Sequence, residues 1–303
     1  MTTATMFLNN VTSVDHAYVG SDGWVYGNSY SPMFTIGGKV DPEENVVVDF
    51  STVKKAIKNL IDDRGAGLDH KLWFVKGFSN GTIEYTNNHK VTIDTPWFRY
   101  SGSKDSVKVI ETPTHEVDQA FLAEVTSKEY LLPLLTELYK IDMTVECVSD
   151  PRPTIPVHSV PVHFNYTHGL KHSTSWGCQN MMHGHRSFLC AEQIENNPVK
   201  QYEIDLLLNT MAGFYHNKMF VWSENWFPTT QVLDYASRDR GEFYTQFKND
   251  GAVFRKIEVL NTETTIEHIV SHIATRWEDD LRRCNIKSLY VSEGQNKGAV
   301  VSL

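Results

Sequence analysis

Phe164-Asn165-Tyr166-Thr167-His168, then Cys178, then His183-Gly184-His185 is the stretch that decides how this chain is read. Residues i and i+2 of a strand point to the same face, so His183 and His185 present two imidazoles together. A third, from a neighbouring strand, completes a trigonal base. The fourth tetrahedral position stays open, which is the pattern of a catalytic zinc and not of a closed structural one. Cys178 places a thiol beside it. The thirteen histidines of the chain make an accidental pair conceivable. The histidine and the cysteine upstream favour the metal reading.

Working outward, the bulk properties set broad limits. A chain of 303 residues fits one large domain or two of about 150. Hydrophobic content of 41% and aromatic content of 12% suit a packed core. A net charge of -9 argues against nucleic acid or an anionic membrane as the main partner. An anionic substrate would then need a locally positive pocket or a metal. Four cysteines without regular pairing suggest a reducing compartment, and no apolar run approaches a membrane span. The expectation is a cytoplasmic globular protein.

The chain also resembles itself. Glu111-Thr112-Pro113-Thr114-His115-Glu116, a helical stretch and the strand Met143-Thr144-Val145-Glu146 match Thr262-Glu263-Thr264-Thr265-Ile266-Glu267, a helical stretch and Ser288–Glu293. The second helix carries Ile266, Ile269, Val270, Ile273, Trp277 and Leu281 at helical spacing. His16 and His168, and His70 and His216, lie at a similar offset of about 150. These landmarks predict two related domains, 1–150 and 155–303, joined by the proline-rich Ser149–Pro156. Each reads as α+β. The N-terminal part, with Tyr18, Trp24, Val25, Tyr26, Tyr30, Met33, Phe34 and Ile36, reads as a strand pair, and Asn45–Phe50 as a strand, with Ser51 or Thr52 capping a helix that holds Val53, Ala56, Ile57, Leu60 and Ile61. Region 223–256 fits no part of the scheme and reads as an insertion. Its aromatic residues Trp226, Phe227, Tyr235 and Phe243 read as core or interface packing rather than as a lid.

Together these motifs resemble the 6-pyruvoyl-tetrahydropterin synthase / 6-carboxytetrahydropterin synthase family. The resemblance rests on Phe164–His168, Cys178, His183-Gly184-His185, Asp49-Phe50, Leu68-Asp69-His70 and the glutamates Glu116, Glu267, Glu146 and Glu293. It covers most of the chain outside 223–256, but its elements are divided between the two copies. In the first copy Tyr26-Gly27-Asn28 stands at the place of His-Gly-His, His16 survives alone and no cysteine precedes it. In the second, the Asp-His turn reads Tyr215-His216. His163 and His172 rival His168 as the third ligand, and the Phe-x-x-x-His register favours His168.

The resemblance implies two tandem T-fold domains, each an antiparallel four-stranded sheet with two helices. It implies zinc on His168, His183 and His185, with Cys178 as base and Asp69-His70 contributed across an interface. Glu267 would anchor a pterin edge, with Thr264, Thr265 and Glu293 lining the recess. The implied substrate is 7,8-dihydroneopterin triphosphate, and the implied reaction is that of a zinc-dependent lyase of the 6-carboxytetrahydropterin synthase type, as used in 7-deazaguanine biosynthesis. The pyruvoyl product is the nearest alternative. A non-catalytic pterin- or purine-binding or structural T-fold ring protein is the alternative of a different class. Fused copies would build a homotrimer or a dimer of such rings. Glu116 and Glu146 read as a helix cap or a support of the duplicated fold, and Cys147, Cys190 and Cys284 as structural thiols.

Overall fold

The computed structural model describes residues 3–86, 89–139, 160–248 and 251–303. The chain opens with β1 (Thr3–Leu8), β2 (Val14–Val19), β3 (Val25–Tyr30) and β4 (Phe34–Lys39). β1 and β4 form a separate two-stranded ribbon, and β2 and β3 form a hairpin. The helix α1 (Phe50–Ile61) follows, with Val53, Ile57 and Ile61 buried along one stripe. Its cap is Asp49, whose carboxylate accepts from the Thr52 amide. The expected strand Asn45–Phe50 is therefore not formed: Asp49 captures an orphan helix donor, and the residues before it turn.

β5 (Leu72–Val75) lies parallel to β2. The chain then makes an excursion through β6 (Thr82–Thr86), β7 (Lys90–Asp94) and β8 (Phe98–Ser103) and returns as β9 (Val107–Ile110), parallel to β5. α2 (Gln119–Glu124), capped by Asp118, runs through a π-helical stretch into α3 (Leu132–Tyr139). Glu116 is exposed in the loop before this cap. The strand expected at Met143–Glu146, Cys147 and the linker Ser149–Pro156 lie outside the described residues.

The same order recurs. β10 (Val162–His168) and β11 (His183–Gln193) form a hairpin, and α4 (Gln201–Tyr215) leads to β12 (Lys218–Trp222), parallel to β10. The excursion here is β13 (Trp226–Phe227), β14 (Val232–Ser237) and β15 (Gly241–Phe247), ending in β16 (Ile257–Leu260), parallel to β12. α5 (Ile266–Arg276) and α6 (Glu278–Arg283) precede β17 (Ile286–Ser292), antiparallel to β11, and β18 (Gly298–Ser302). Region 223–256 is thus an excursion with a counterpart at 82–103. The two excursions join through β15 and β8 into one six-stranded sheet.

The other large sheets run β3-β2-β5-β9 and β16-β12-β10-β11-β17-β18. Both are mixed and not purely antiparallel as expected. The helices α1 and α4 carry the chain across the sheet, so β5 and β12 return parallel to the first strand of each hairpin. One apolar core sits under the helices of each half. A third is shared, and joins Trp24, Leu72 and Tyr100 to Met181, Met219, Trp226, Tyr235 and Phe243. Phe227 is half exposed.

The halves approach closely at one point. A Cβ built on Gly27 would lie 1.8 Å from the Tyr166 carbonyl oxygen, and one on Gly184 would lie 2.4 Å from Gly27 Cα. Neither position has room for any side chain. The two glycines also align the hairpins. In the first hairpin Ala17 pairs with Gly27 and Tyr18 with Tyr26; in the second Thr167 pairs with Gly184 and His168 with His183. Tyr18, rather than His16, therefore stands where His168 does. Tyr18 and Tyr26 stack at 5.6 Å, filling with aromatic rings the place of two imidazoles. His16 is buried against Trp73 at 4.3 Å, and burial holds its pKa down, to about 3.

One ion cluster makes a stability prediction. Glu258 is buried and accepts from Lys218 at 2.9 Å, His272 at 2.8 Å and Arg276 at 3.1 Å. Burial opposes its ionisation, but these partners prevail and hold its pKa at about 2, below the 4.5 of a free glutamate. A carboxylate depressed in the folded state stabilises above the unfolded pKa, and that contribution fades as pH falls from about 4.5 to about 2. Glu258→Gln should cost about 2 kcal/mol at pH 7 and progressively less towards pH 2.5, as read by urea melts at each pH.

Candidate metal and thiol site

β10 and β11 bring His168 directly opposite His183, and the i, i+2 spacing turns His185 to the same face. All three imidazoles are fully buried, and their nitrogens lie within 4.8 Å of one another. Two of the Nδ1 atoms are hydrogen-bonded: that of His168 is 2.7 Å from the Thr264 carbonyl and that of His183 is 2.9 Å from the Asn180 carbonyl. That of His185 faces Asp15 Oδ1 at 3.3 Å, in ion-pair range but without hydrogen-bond geometry. A carbonyl oxygen only accepts, so the Nδ1 atoms of His168 and His183 carry the proton and those rings have their lone pairs on Nε2.

Those Nε2 atoms converge. His168 and His185 meet at 3.1 Å, and His183 Nε2 is buried without a partner. Burial, reinforced by the neighbouring imidazoles, pushes the pKa of His168 down to about 3 and that of His183 well below the ordinary value. Three buried imidazoles whose Nε2 atoms converge on one point fit a divalent cation such as zinc, and acceptors beside the opposite nitrogens are how such ligands are oriented. Of the rivals, His163 lies on the exposed side of β10 and the His172 side chain is 59% exposed, so neither shares this cluster.

Cys178 sits on a short 3-10 turn, Gly177–Gln179, with its Sγ 3.5 Å from His70 Nε2. His70 Nδ1 lies 2.5 Å from Asp69 Oδ2. The carboxylate from the first half, its imidazole and the thiol from the second half form one line. Burial opposes a charge on His70, but the Asp69 carboxylate and the thiol raise its pKa well above the ordinary imidazole value. Burial raises the Cys178 pKa too, and the His70 hydrogen bond and charge more than offset it, so the thiol is lowered.

His70 adopts a left-handed backbone, φ 52, and its amide donates to Asp15 O at 2.6 Å. In the second half Asn217, φ 61, occupies the same place, with its amide donating to Asn165 O at 2.7 Å. The structural counterpart of Asp69-His70 is therefore His216-Asn217, one residue on from the expected Tyr215-His216. Both acid and imidazole are replaced there.

The remaining residues divide. Thr264 is buried and holds His168 through its carbonyl. Thr265 stands at the N-terminal cap position of α5 without a side-chain capping bond, and Glu267 is exposed on that helix's first turn. Glu293 Oε1 comes within 4.0 Å of His168 Nε2 and 3.9 Å of His185 Nε2, and Lys297 lies 3.2 Å from its other oxygen. Glu293 therefore borders the imidazole cluster. Cys190 is buried and Cys284 half-buried.

Arg240 was not singled out by sequence. Its guanidinium stacks on Trp176 at 3.8 Å, donates to Gly177 O at 3.2 Å and reaches Asp105 O of the first half at 3.1 Å. It ties the cysteine turn to the other half. Asp15, equally unforeseen, contacts both the imidazole cluster and Asp69. Neither sits in a motif; each makes its contacts with residues distant in sequence.

No protein-family profile and no curated protein matches the chain. Among solved structures, it is similar to 6-pyruvoyl tetrahydropterin synthase from Plasmodium vivax, at 19% identity over 45% of this chain and 80% of that one, with a TM-score of 0.33. The Plasmodium falciparum 6-pyruvoyl tetrahydropterin synthase matches at 16% identity with the same coverage and TM-score. Among the described residues no helix is long and apolar enough to cross a membrane.

Proposed function

We propose that this chain is a zinc-dependent lyase of the pterin synthase type, acting on 7,8-dihydroneopterin triphosphate, with one active site divided between two duplicated halves. The observation that carries this reading is the line Asp69–His70–Cys178 running across the halves to a cluster of three inward-facing imidazole lone pairs. His168, His183 and His185 would hold the zinc, which supplies Lewis-acid stabilisation of negative charge on substrate oxygens.

The chain's own residues do the proton work. Asp69 fixes the His70 tautomer, with Nδ1–H towards the carboxylate. His70 Nε2 is then free to take the Cys178 proton, leaving a thiolate beside an imidazolium. The thiolate removes a proton from a side-chain carbon next to a carbonyl or imine, and the imidazolium returns a proton where charge develops. Glu267 accepts the paired N–H donors of the pterin edge, a bidentate charged contact, with Thr265 beside it. The carboxy product is the proposed outcome.

Two measurements test this. Purified protein should contain about one zinc per chain by elemental analysis, since the first half offers Tyr18, Tyr26 and Asn28 where the second offers ligands. Incubation with dihydroneopterin triphosphate should yield new pterin products by mass spectrometry. Zinc and pterin bound without turnover would favour the non-catalytic binding protein instead.

A further inference from the structure

The half that lacks metal ligands still sends one residue into the metal cluster. Asp15, on β2, is fully buried, and its Oδ1 lies 3.3 Å from His185 Nδ1. The same oxygen accepts from Ser29 Oγ at 2.5 Å, and Ser29 Oγ itself accepts from the Arg186 amide of the second half at 3.0 Å. Lys297 Nζ stands 3.6 Å from Asp15 Oδ2. The carboxylate is thus held by Ser29 and Lys297 while it faces the imidazole.

The backbone of the same residue holds the acid–imidazole pair. Its amide donates to Asp69 Oδ1 at 2.8 Å, and its carbonyl accepts from the His70 amide at 2.6 Å. Of the three imidazoles in the cluster, His185 alone turns its Nδ1 to a carboxylate, at 3.3 Å, and that carboxylate comes from the other half; His168 and His183 are hydrogen-bonded to carbonyls of their own half. The strand position of Asp15 is taken in the second half by Asn165, whose amide donates to His216 Nδ1 at 3.2 Å while its side chain donates to Gly27 O at 2.8 Å. The acid is found only where it faces imidazoles.

We infer that Asp15 is a positioning residue for metal binding, a second-shell carboxylate lent by the ligand-free half to His185. It orients the His185 ring and strengthens it as a donor, so metal affinity in the second half depends on a side chain of the first. The inference rests on the three-histidine metal reading. Second-shell partners of this kind are worth about 10- to 100-fold in metal affinity.

The test is zinc alone, titrated into metal-free protein against a competing chromophoric chelator. Asp15→Ala should bind zinc about 10- to 100-fold more weakly than wild type. Asp15→Asn keeps an acceptor and loses the charge, and should fall between the two. Alkylation of Cys178 by iodoacetamide in the metal-free protein should stay near the wild-type rate in both variants, because Asp69 and His70 are gripped by backbone that the substitutions leave in place. Either variant binding zinc as tightly as wild type overturns the inference alone. Loss of zinc affinity together with a collapse of thiol reactivity also overturns it, because general disruption then accounts for both. A wild-type protein that takes up no zinc removes the metal reading and this inference together.

Discussion

On the proposed reading, Cys178→Ala and His70→Ala should each lower turnover of dihydroneopterin triphosphate by about 100- to 10,000-fold, the range for loss of a positioned acid–base group. The two losses do not add, because the thiol and the imidazole share one proton along a single line 3.5 Å long. A Cys178→Ala, His70→Ala double variant therefore performs no worse than Cys178→Ala. Asp69→Asn keeps a side chain beside His70 Nδ1 but removes the charge that stabilises the imidazolium, and falls in kcat more than in KM. The metal-free protein gives an independent check. His70→Ala should slow iodoacetamide alkylation of Cys178, with Cys178→Ala as the blank for Cys147, Cys190 and Cys284. An unchanged alkylation rate, or multiplicative losses in the double variant, would show that Asp69 and His70 do not act through the thiol.

Gly27→Ala destabilises the chain by about 3 kcal/mol or more, at or beyond the upper end of ordinary overpacking. The added methyl would fall 1.8 Å from a backbone oxygen, so no side-chain rotation relieves it and the halves must separate. Separation moves Asp15, Asp69 and His70 away from Cys178 and the imidazoles, so zinc affinity falls with stability although Gly27 contacts no ligand. Gly184→Ala behaves alike from the other side, meeting Gly27 Cα at 2.4 Å. Gly213→Ala, exposed on α4 with open space around the new methyl, is the control, and is neutral or stabilising by up to about 1 kcal/mol. Urea melts and zinc titration read both quantities. A Gly27→Ala protein with wild-type melting would mean that the contact between the halves is not close-packed in solution.

Much of the imidazole cluster was legible because strand geometry is periodic. His183 and His185 share a face by the two-residue repeat, and His168 is one hairpin partner away. The repeated order of elements was legible through apolar stripes such as Ile266, Ile269, Val270 and Ile273. Register was harder to read. A spacing of about 150 residues matched His70 with His216 and His16 with His168, whereas the pairing of strands matches His70 with Asn217 and Tyr18 with His168. An offset in sequence tolerates a slip of one or two residues; a hydrogen-bonded ladder tolerates none without turning side chains to the opposite face. The strand predicted at Asn45–Phe50 failed for a local reason, since a run of valines cannot compete with an aspartate that caps the next helix.

What the sequence determined by itself is therefore chemistry with short-range periodicity: three imidazoles, a thiol and an acid–imidazole pair. Only the tertiary structure decided which of these meet. Cys178 and His70 are 108 residues apart, and their contact follows from two glycines that let the hairpins touch backbone to backbone. Asp15 carries no motif, because its role exists only where β2 of one half faces β11 of the other. Such a contact leaves no periodic trace in the chain: its partners are chosen by packing between sheets, not by spacing along a strand.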